Sequence, residues 1–502
     1  MPSQKRPPAP PRQPSAPASS PYAAKRPAQV SSQSVSKGRA TPFSPKPKQD
    51  AKPAPTFSSK PSTRPAPSNP RPTSTTPRPK LPIPCAMVTR RASESLRRDH
   101  LWVYTSDVEQ VELGPGSPPA LIPVVDNRGI PLGTALYSPI SQIALRLVSR
   151  ELITQAQWLT QLADRLRTAI HRRKPLLDAD TNACRLVFSE ADNLPGLIVD
   201  KYANIAIVQL LAKGLDNHET RSACIEVLKE ELGHQPLTIW ERPDPRIREL
   251  EGLSAPATTP LFSNHPEAAQ SSTQFRLNGL SFHFDANSGQ KTGAFLDQRQ
   301  NYAAAAAWAK SLGLKKALDV CTYQGGFALH LAQVCTQVTG IDASRSSLEV
   351  AEHNLELNLK PGGPGLASET WVSEVDWVEA DAFEILRAWS ESKDPATAEW
   401  DLIVLDPPAF AKSKRAVEGA LRGYKELNLR ALHMIRPGGL LITCSCSHHV
   451  TWSDLESAVA SAAIDAHRRV TLLERRGAAQ DHPVLLNLPE TEYLKCLICQ
   501  VD

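Results

Sequence analysis

Long apolar runs are missing from this chain of 502 residues. No stretch approaches the roughly 18 uninterrupted apolar residues that a membrane-spanning helix needs, so no membrane partner is expected. Met1 to Pro11 is polar and proline-rich, without the apolar core of a secretory signal, and the expected location is cytoplasmic. The nine cysteines are an odd number scattered from position 85 to 499, which argues against a disulfide framework. Cys496-Leu-Ile-Cys499 has zinc-like spacing, but no second pair exists and the surrounding run Tyr493 to Val501 is apolar. It reads as a buried terminal strand, and no metal site is expected.

Acidic residues are nearly absent from the first 84 positions, where Asp50 alone stands against 15 Lys+Arg. That segment is +14, so the remainder of a chain with net charge +5 must be −9. The basic balance belongs to the tail, and any RNA-binding surface on the body must be local. The tail also holds 23 of the 45 prolines. Such a segment cannot bury enough apolar surface to offset its ordering entropy, and residues 1–84 are expected to be disordered. An organelle transit peptide shares the Arg- and Ser-rich, acid-poor composition, but not the proline density. Met87, one of three methionines, stands where order is expected to begin and is a candidate translation start. A real tail would suit a non-specific RNA-binding arm.

The length suggests about three domains. Short apolar runs between turns in 88–150 predict a small β-barrel or sandwich. An amphipathic helix is predicted over 151–173, with Leu152, Trp158, Leu159, Leu162, Leu166 and Ile170 on one side. A compact α+β unit with the order β-β-β-α-β follows, a helix falls at 218–232, and a strand run from Phe275 to Phe284 leads out of it near 285. From 286 to 502 strands and helices alternate, which predicts a Rossmann-like, doubly wound α/β domain with a parallel sheet.

Three acids end successive predicted strands of this last domain: Asp319, Asp342 and Asp381. One such acid is most often a helix N-cap. Three together could contact different parts of one nucleoside, with Asp342 on the ribose diol and Asp381 on an adenine amino group. The loop Cys321-Thr-Tyr323-Gln-Gly325-Gly326 would let backbone approach this ligand. Gly-x-Gly-x-x-Gly is absent here, so there is no pyrophosphate cradle, and no P-loop is present either. A nucleoside without phosphates points to S-adenosylmethionine.

Two later strand ends supply chemistry. Asp406-Pro407-Pro408 follows the run Leu402 to Leu405, and Cys444-Ser-Cys446 follows Leu440 to Thr443. Cytosine C5 becomes nucleophilic when a thiolate adds at C6. A carboxyl at N3 stabilises the charge that develops, and the prolines offer a flat wall to a base. Alternation cannot choose between the two cysteines, but Cys446 lies farther out at the strand mouth. His448 and His449 are adjacent histidines of the kind usually solvated.

With these pieces in place, the chain from about 96 to 502 resembles the bacterial family of 23S ribosomal RNA cytosine-5 methyltransferases that carry an N-terminal PUA domain. The resemblance rests on Ser189-Glu-Ala-Asp-Asn-Leu-Pro-Gly-Leu-Ile-Val-Asp200, Lys291-Thr-Gly-Ala-Phe-Leu-Asp-Gln-Arg299, Asp406-Pro-Pro-Ala-Phe410, Gly423-Tyr-Lys-Glu426, Ser445-Cys-Ser447 and Asp481-His-Pro483. It implies a PUA domain, a central α+β domain and a class I methyltransferase domain. It also implies S-adenosylmethionine as donor, 23S ribosomal RNA as substrate and a possible homodimer. Cys446, between two serines, falls at the family's nucleophile. Asp297 and Gln298 fall near the cofactor, with Tyr323, Asp406 and Pro407 on the same side. Arg146, Arg242, Arg246, Arg248, Lys291 and Arg299 fall at RNA-facing positions. The sequence departs from the two-cysteine scheme of some cytosine-5 enzymes, since no cysteine follows Asp406 closely. The tail has no counterpart. The alternatives are a guanine N-methyltransferase, which needs no nucleophile, and a non-catalytic RNA-binding or assembly factor.

Overall fold

A computed structural model describes residues 83–116, 119–242, 244–265, 269–287, 294–359, 373–394, 396 and 399–502. The expected tail lies outside them up to residue 82. Order begins ahead of Val88, because β1 (Cys85–Val88) is an interior strand of the first sheet. After α1 (Arg90–Arg97) come β2 (Trp102–Tyr104), β3 (Val108–Glu112), β4 (Leu121–Val125), β5 (Pro131–Tyr137) and β6 (Ile143–Ser149). They form one sheet in the order β2-β6-β5-β4-β1-β3. Its core is Ala86, Val88, Leu96, Ile122, Val124 and Leu145, all at most 1% exposed.

The helix expected from 151 starts at Gln155. Thr154 and Gln157 form a reciprocal capping box at the head of α2 (Gln155–Arg173), which leaves Leu152 outside it and 52% exposed. Trp158, Leu162, Leu166 and Ile170 recur at helical spacing and are buried, each worth roughly 1.5–3 kcal/mol of burial. They pack with α3 (His218–Leu232) against β7 (Ala183–Phe188), β8 (Leu197–Tyr202) and β9 (Ile205–Leu210). β10 (Thr238–Glu241) and, after α4 (Pro245–Glu251), the short β11 (Phe262–Ser263) complete the sheet β11-β10-β9-β8-β7.

The strand run expected from Phe275 to Phe284 is a hairpin. β12 (Ser272–Leu277) pairs antiparallel with β13 (Leu280–Asp285). Asn278 at φ 52° and Gly279 at φ 85° make the left-handed two-residue turn that Asn-Gly favours.

The last domain begins with α5 (Arg299–Leu312) and continues β14 (Lys316–Val320), α6 (Gly326–Ala332), β15 (Gln337–Asp342), α7 (Arg345–Leu359), β16 (Glu374–Glu379), α8 (Ala382–Ser390), β17 (Trp400–Leu405), α9 (Val417–Met434), β18 (Ile435–Ser445), α10 (Trp452–Asp465), β19 (Val470–Arg476) and β20 (Lys495–Val501). The sheet order is β16-β15-β14-β17-β18-β20-β19. It is not wholly parallel, because β20 runs antiparallel to both β18 and β19. α5 and α6 cover one face and α8 to α10 the other, which makes the winding double. Cys496 and Cys499 lie three apart on β20 and so enter opposite faces, each buried in an apolar cluster.

Asp481 fastens this domain to the central one. Its Oδ2 accepts the Arg185 amide at 2.9 Å, and its carbonyl accepts Arg173 Nη2 at 3.0 Å. Burial would push its carboxyl up, but His482, Arg299 and the Arg185 amide outweigh that and hold it at about 2. Among the described residues no helix is long and apolar enough to cross a membrane.

Candidate active site

The chain runs β14, β15, β16 outward and then returns to β17 beside β14, so a crevice opens at the carboxyl ends of β14 and β17. A cavity of about 1360 Å³ fills it and extends past β18 to the first domain. The loop after β14 turns sharply, with Cys321, Tyr323 and Gly325 at φ 63°, 52° and 84°. Left-handed non-glycine residues are costly and persist where surroundings dictate them. Here Asp342 Oδ2 accepts the Tyr323 amide at 2.9 Å, and Asp319 Oδ2 accepts Thr322 Oγ1 at 2.6 Å and the Ala328 amide at 2.9 Å.

Asp319 Oδ1 is buried and has no partner among the described residues. Burial raises this carboxyl from its ordinary 3.8 to about 7. An orphaned carboxylate oxygen in a cavity wall fits a cationic amino group, which the methionine part of S-adenosylmethionine carries. Asp342 lines the cavity at the next strand end, with Oδ1 accepting the Ser344 amide at 2.8 Å. Its remaining lone pairs suit a diol. Asp381 behaves as the helix cap that such acids usually are: its Oδ1 accepts the Phe383 and Glu384 amides at the head of α8. It still lines the cavity, as do Tyr323, Asp406 and Pro407. The two glycines of this loop differ from each other. Gly325 is not in the cavity wall, and a Cβ at Gly326 would lie 2.5 Å from the Tyr302 ring. Gly326 lines the cavity, and its lack of a Cβ also lets the Tyr302 ring pack against it.

At the other end, Gln298 Nε2 donates to Asp406 Oδ2 at 3.0 Å. The amide is oriented by Asn301 Nδ2, which donates to Gln298 Oε1 at 2.6 Å, and Asn301 in turn accepts Arg476 Nε at 3.0 Å. Cys446 follows β18 directly, is half-buried and lines the cavity, with its Sγ 3.9 Å from the Pro407 carbonyl. Cys444 is fully buried opposite Cys496, and burial pushes its thiol far up. Cys321 also reaches the cavity, but burial and the nearby Asp342 and Asp406 push its thiol up as well.

Three residues around Cys446 were not singled out from sequence as site residues. Tyr424 Oη bonds Ser445 Oγ at 2.8 Å and Ser447 Oγ at 3.1 Å, and so grips both neighbours of the thiol. Lys495 is 3% exposed, and its ammonium donates to the carbonyls of Ser447 at 2.9 Å and Tyr493 at 3.0 Å. A cation so placed favours the thiolate. Tyr493 donates its hydroxyl to Asp297 Oδ2. The signals were present: Tyr424 sits in the quoted Gly423-Tyr-Lys-Glu426, and Lys495 is the lone charge in an apolar strand. His448 is exposed, its ring 5.6 Å from that of Tyr493.

The expected RNA-facing cations divide. Arg146 turns inward: it is 7% exposed, and its Nη2 pairs with Glu251 Oε1 at 2.9 Å. Arg299 is 4% exposed, donating to the Ala183 carbonyl at 3.4 Å with Asp481 3.8 Å away. Both are internal ties between domains, because a buried guanidinium needs a local carboxylate. Arg242 is half-buried and donates to the Asp285 carbonyl at 3.3 Å. Arg248 is half-buried on α4, and its Nε donates to the Ser254 carbonyl at 3.2 Å. Arg246 is exposed on α4 at the cavity rim. Lys291 lies outside the described residues.

Residues 87–150 match the family described as a PUA-like domain, and residues 267–481 match that of S-adenosylmethionine-dependent methyltransferases. The chain is similar to the ribosomal RNA large subunit methyltransferase I of Photobacterium profundum, at 34% identity over 81% of this chain and 97% of the relative. The enzymes of that name from Alteromonas mediterranea and Salmonella arizonae are 35% and 33% identical, over 81% and 83% of this chain and 96% and 97% of theirs. A solved Streptococcus mutans chain assigned to the S-adenosylmethionine-dependent methyltransferases shares the fold, with a TM-score of 0.66 at 19% identity over 83% of this chain and all of its own. A second solved methyltransferase, in complex with SAH, aligns with the same TM-score of 0.66 at 20% identity, over 83% of this chain and 100% of its own. With a PUA-like domain ahead of a methyltransferase sheet and one-third identity along nearly the whole of its relatives, the chain belongs to the ribosomal RNA large subunit methyltransferase I family of S-adenosylmethionine-dependent enzymes.

Proposed function

We propose that this chain methylates C5 of a cytosine in 23S ribosomal RNA, in the cytoplasm, through a covalent bond between the base and Cys446. The observation that carries this reading is the half-buried Cys446 thiol on the same cavity wall as Asp406, with Pro407 between them. The relatives' name supplies large-subunit ribosomal RNA as the substrate class.

The target base must leave its stack to reach a site this deep. Pro407 and Pro408 give its ring a flat wall, and Asp406, held by Gln298, sits where a carboxyl can bond N3. The Cys446 thiolate, favoured by the Lys495 ammonium, adds to C6 and pushes electron density onto C5. S-adenosylmethionine supplies, when bound, a methyl group on a sulfonium that C5 can attack. C5 then loses its proton, the C6–S bond breaks, and its electron pair returns to sulfur. Asp319, Asp342, Asp381, Tyr323 and Gly326 line the donor's end of the cavity, with Gly325 shaping the turn behind them. Arg246, exposed at the cavity rim, offers a phosphate contact between the PUA-like domain and the site.

The test is to map modified bases in 23S ribosomal RNA from a strain lacking the protein. One 5-methylcytosine should be missing and should return with the wild-type gene but not with Cys446→Ala. A missing N-methylguanine instead would sink the reading.

A further inference from the structure

The scheme above leaves the C5 proton without an acceptor, and no second cysteine is close after Asp406 to take it. The cavity wall holds a pair of groups suited to it. Asp297 is 8% exposed, its Oδ2 accepts the Tyr493 hydroxyl, and its Oδ1 is buried without a partner among the described residues. A buried carboxylate oxygen left unpaired is costly and asks for a function.

The placement is set by two local features. β18 and β20 pair antiparallel as far as Ser445 with Lys495, so continuing both chains outward brings Cys446 level with Leu494 and sets Tyr493 at the same mouth. Tyr493 lines the cavity there; burial and Asp297, with a smaller push from Cys446, hold its hydroxyl well above the ordinary range, so that it rests as a phenol whose proton points to Asp297. Asp297 and Gln298 are consecutive in a short 3₁₀ turn, Leu296–Gln298. One of them reaches the tyrosine beside the thiol and the other reaches Asp406, so this turn brackets the space for the base from both sides.

We infer that Tyr493 and Asp297 form the proton exit of the reaction, an inference that rests on the covalent scheme above. After methyl transfer, C5 bears both the methyl group and its original hydrogen. The Tyr493 oxygen takes that hydrogen as a proton while its own proton passes along the existing hydrogen bond to Asp297 Oδ2. The C5–H electron pair forms the C5–C6 double bond, and the C6–S pair returns to Cys446 as thiolate. The products are 5-methylcytosine, a free thiolate and a protonated Asp297, which releases its proton to water once the RNA leaves. Tyr493 is then a catalytic residue, and Asp297 is the final acceptor rather than a contact to the methyl donor. His482 also lines the cavity, but it is 3% exposed, with Nδ1 3.2 Å from Asp481 Oδ1 and its ring against Phe188.

The experiment uses the full chain, unmodified 23S ribosomal RNA and methyl-labelled S-adenosylmethionine, read by turnover and by denaturing gel. Tyr493→Phe and Asp297→Asn should each slow turnover by about a hundredfold or more. Both should accumulate a detergent-stable RNA–protein adduct that carries the label, because addition and methyl transfer still occur and only elimination stalls. S-adenosylmethionine affinity should stay within about twofold, which also shows that the variants are folded, and Asp297→Glu should restore part of the turnover. Wild-type turnover in both variants, loss of cofactor binding in Asp297→Asn, or adduct appearing in His482→Gln instead would each overturn the assignment. Failure of the covalent scheme itself reads differently: Cys446→Ala would keep full activity.

Discussion

Tyr424 Oη lies 3.1 Å from Ser447 Oγ, one residue beyond Cys446, and 2.8 Å from Ser445 Oγ, one residue before it. The buried phenol is thus the fixture on which the thiol-bearing turn is mounted. Tyr424→Phe removes both bonds at a cost of about 1 kcal/mol each. The turn should loosen, and kcat should fall by up to about a hundredfold with little change in KM. Steady-state kinetics on ribosomal RNA check the split.

The two cysteines of Ser445's neighbourhood should separate cleanly. Cys446→Ala should lower turnover on the order of a thousandfold or more while calorimetry shows unchanged S-adenosylmethionine binding. Cys444→Ala opens a small hole in a packed strand and should cost about 1 kcal/mol of stability with activity retained. Retained activity in the first, or lost activity in the second, would reverse the assignment made from burial.

Asp319 gives a pH dependence with a definite sign. Its carboxyl sits at about 7 in the folded protein against 3.8 ordinarily, so between those values the folded state holds more protons than the unfolded. Stability of the ligand-free protein should therefore fall as pH rises from about 4 to about 7. A cationic amino group beside Oδ1 favours the ionised form, so S-adenosylmethionine should bind more tightly as pH rises from 6 to 8 and should release a proton. Calorimetry in buffers of different ionisation enthalpy measures that proton. Asp319→Asn should abolish both trends.

Arg146 and Arg246 should part company in the same assay. Arg146→Ala strands Glu251 in the interior and should cost about 3–5 kcal/mol of stability. Arg246→Ala should leave stability within about 0.5 kcal/mol and flatten the salt dependence of RNA binding by about one unit of slope. Thermal melts and binding at several salt concentrations distinguish them.

Periodicity made the main elements legible. The helix at 218–232, the strand ends bearing Asp319, Asp342 and Asp406, and the outer position of Cys446 were all readable, because each is set by local alternation and turn residues. Pairing partners were not. Arg146 looks in sequence like any surface arginine, and nothing local shows that Glu251, 105 positions away, buries it in an ion pair. The hairpin at Asn278-Gly279 is legible in that dipeptide, although the apolar run from Phe275 to Phe284 by itself reads as one strand. The antiparallel β20 was visible as an apolar strand, yet nothing local says that it inserts between β18 and β19. Tyr493 and Lys495 come close to Cys446 only through that insertion, so nothing local in the sequence joins them to it.

β20 has one more consequence, in the order of assembly. It follows β19 in the chain yet lies inside the sheet, beside β18. Until residues 495–501 have been made and have slotted in, β18 presents an open edge and the Cys446 turn lacks both the ammonium and the phenol beside it. β14, β15 and β17, whose ends carry Asp319, Asp342 and Asp406, all precede β20 in the chain. A chain in which β14 to β18 have already paired would thus hold Asp319 and Asp342 in place while Cys446 still lacked Lys495 and Tyr493 beside it.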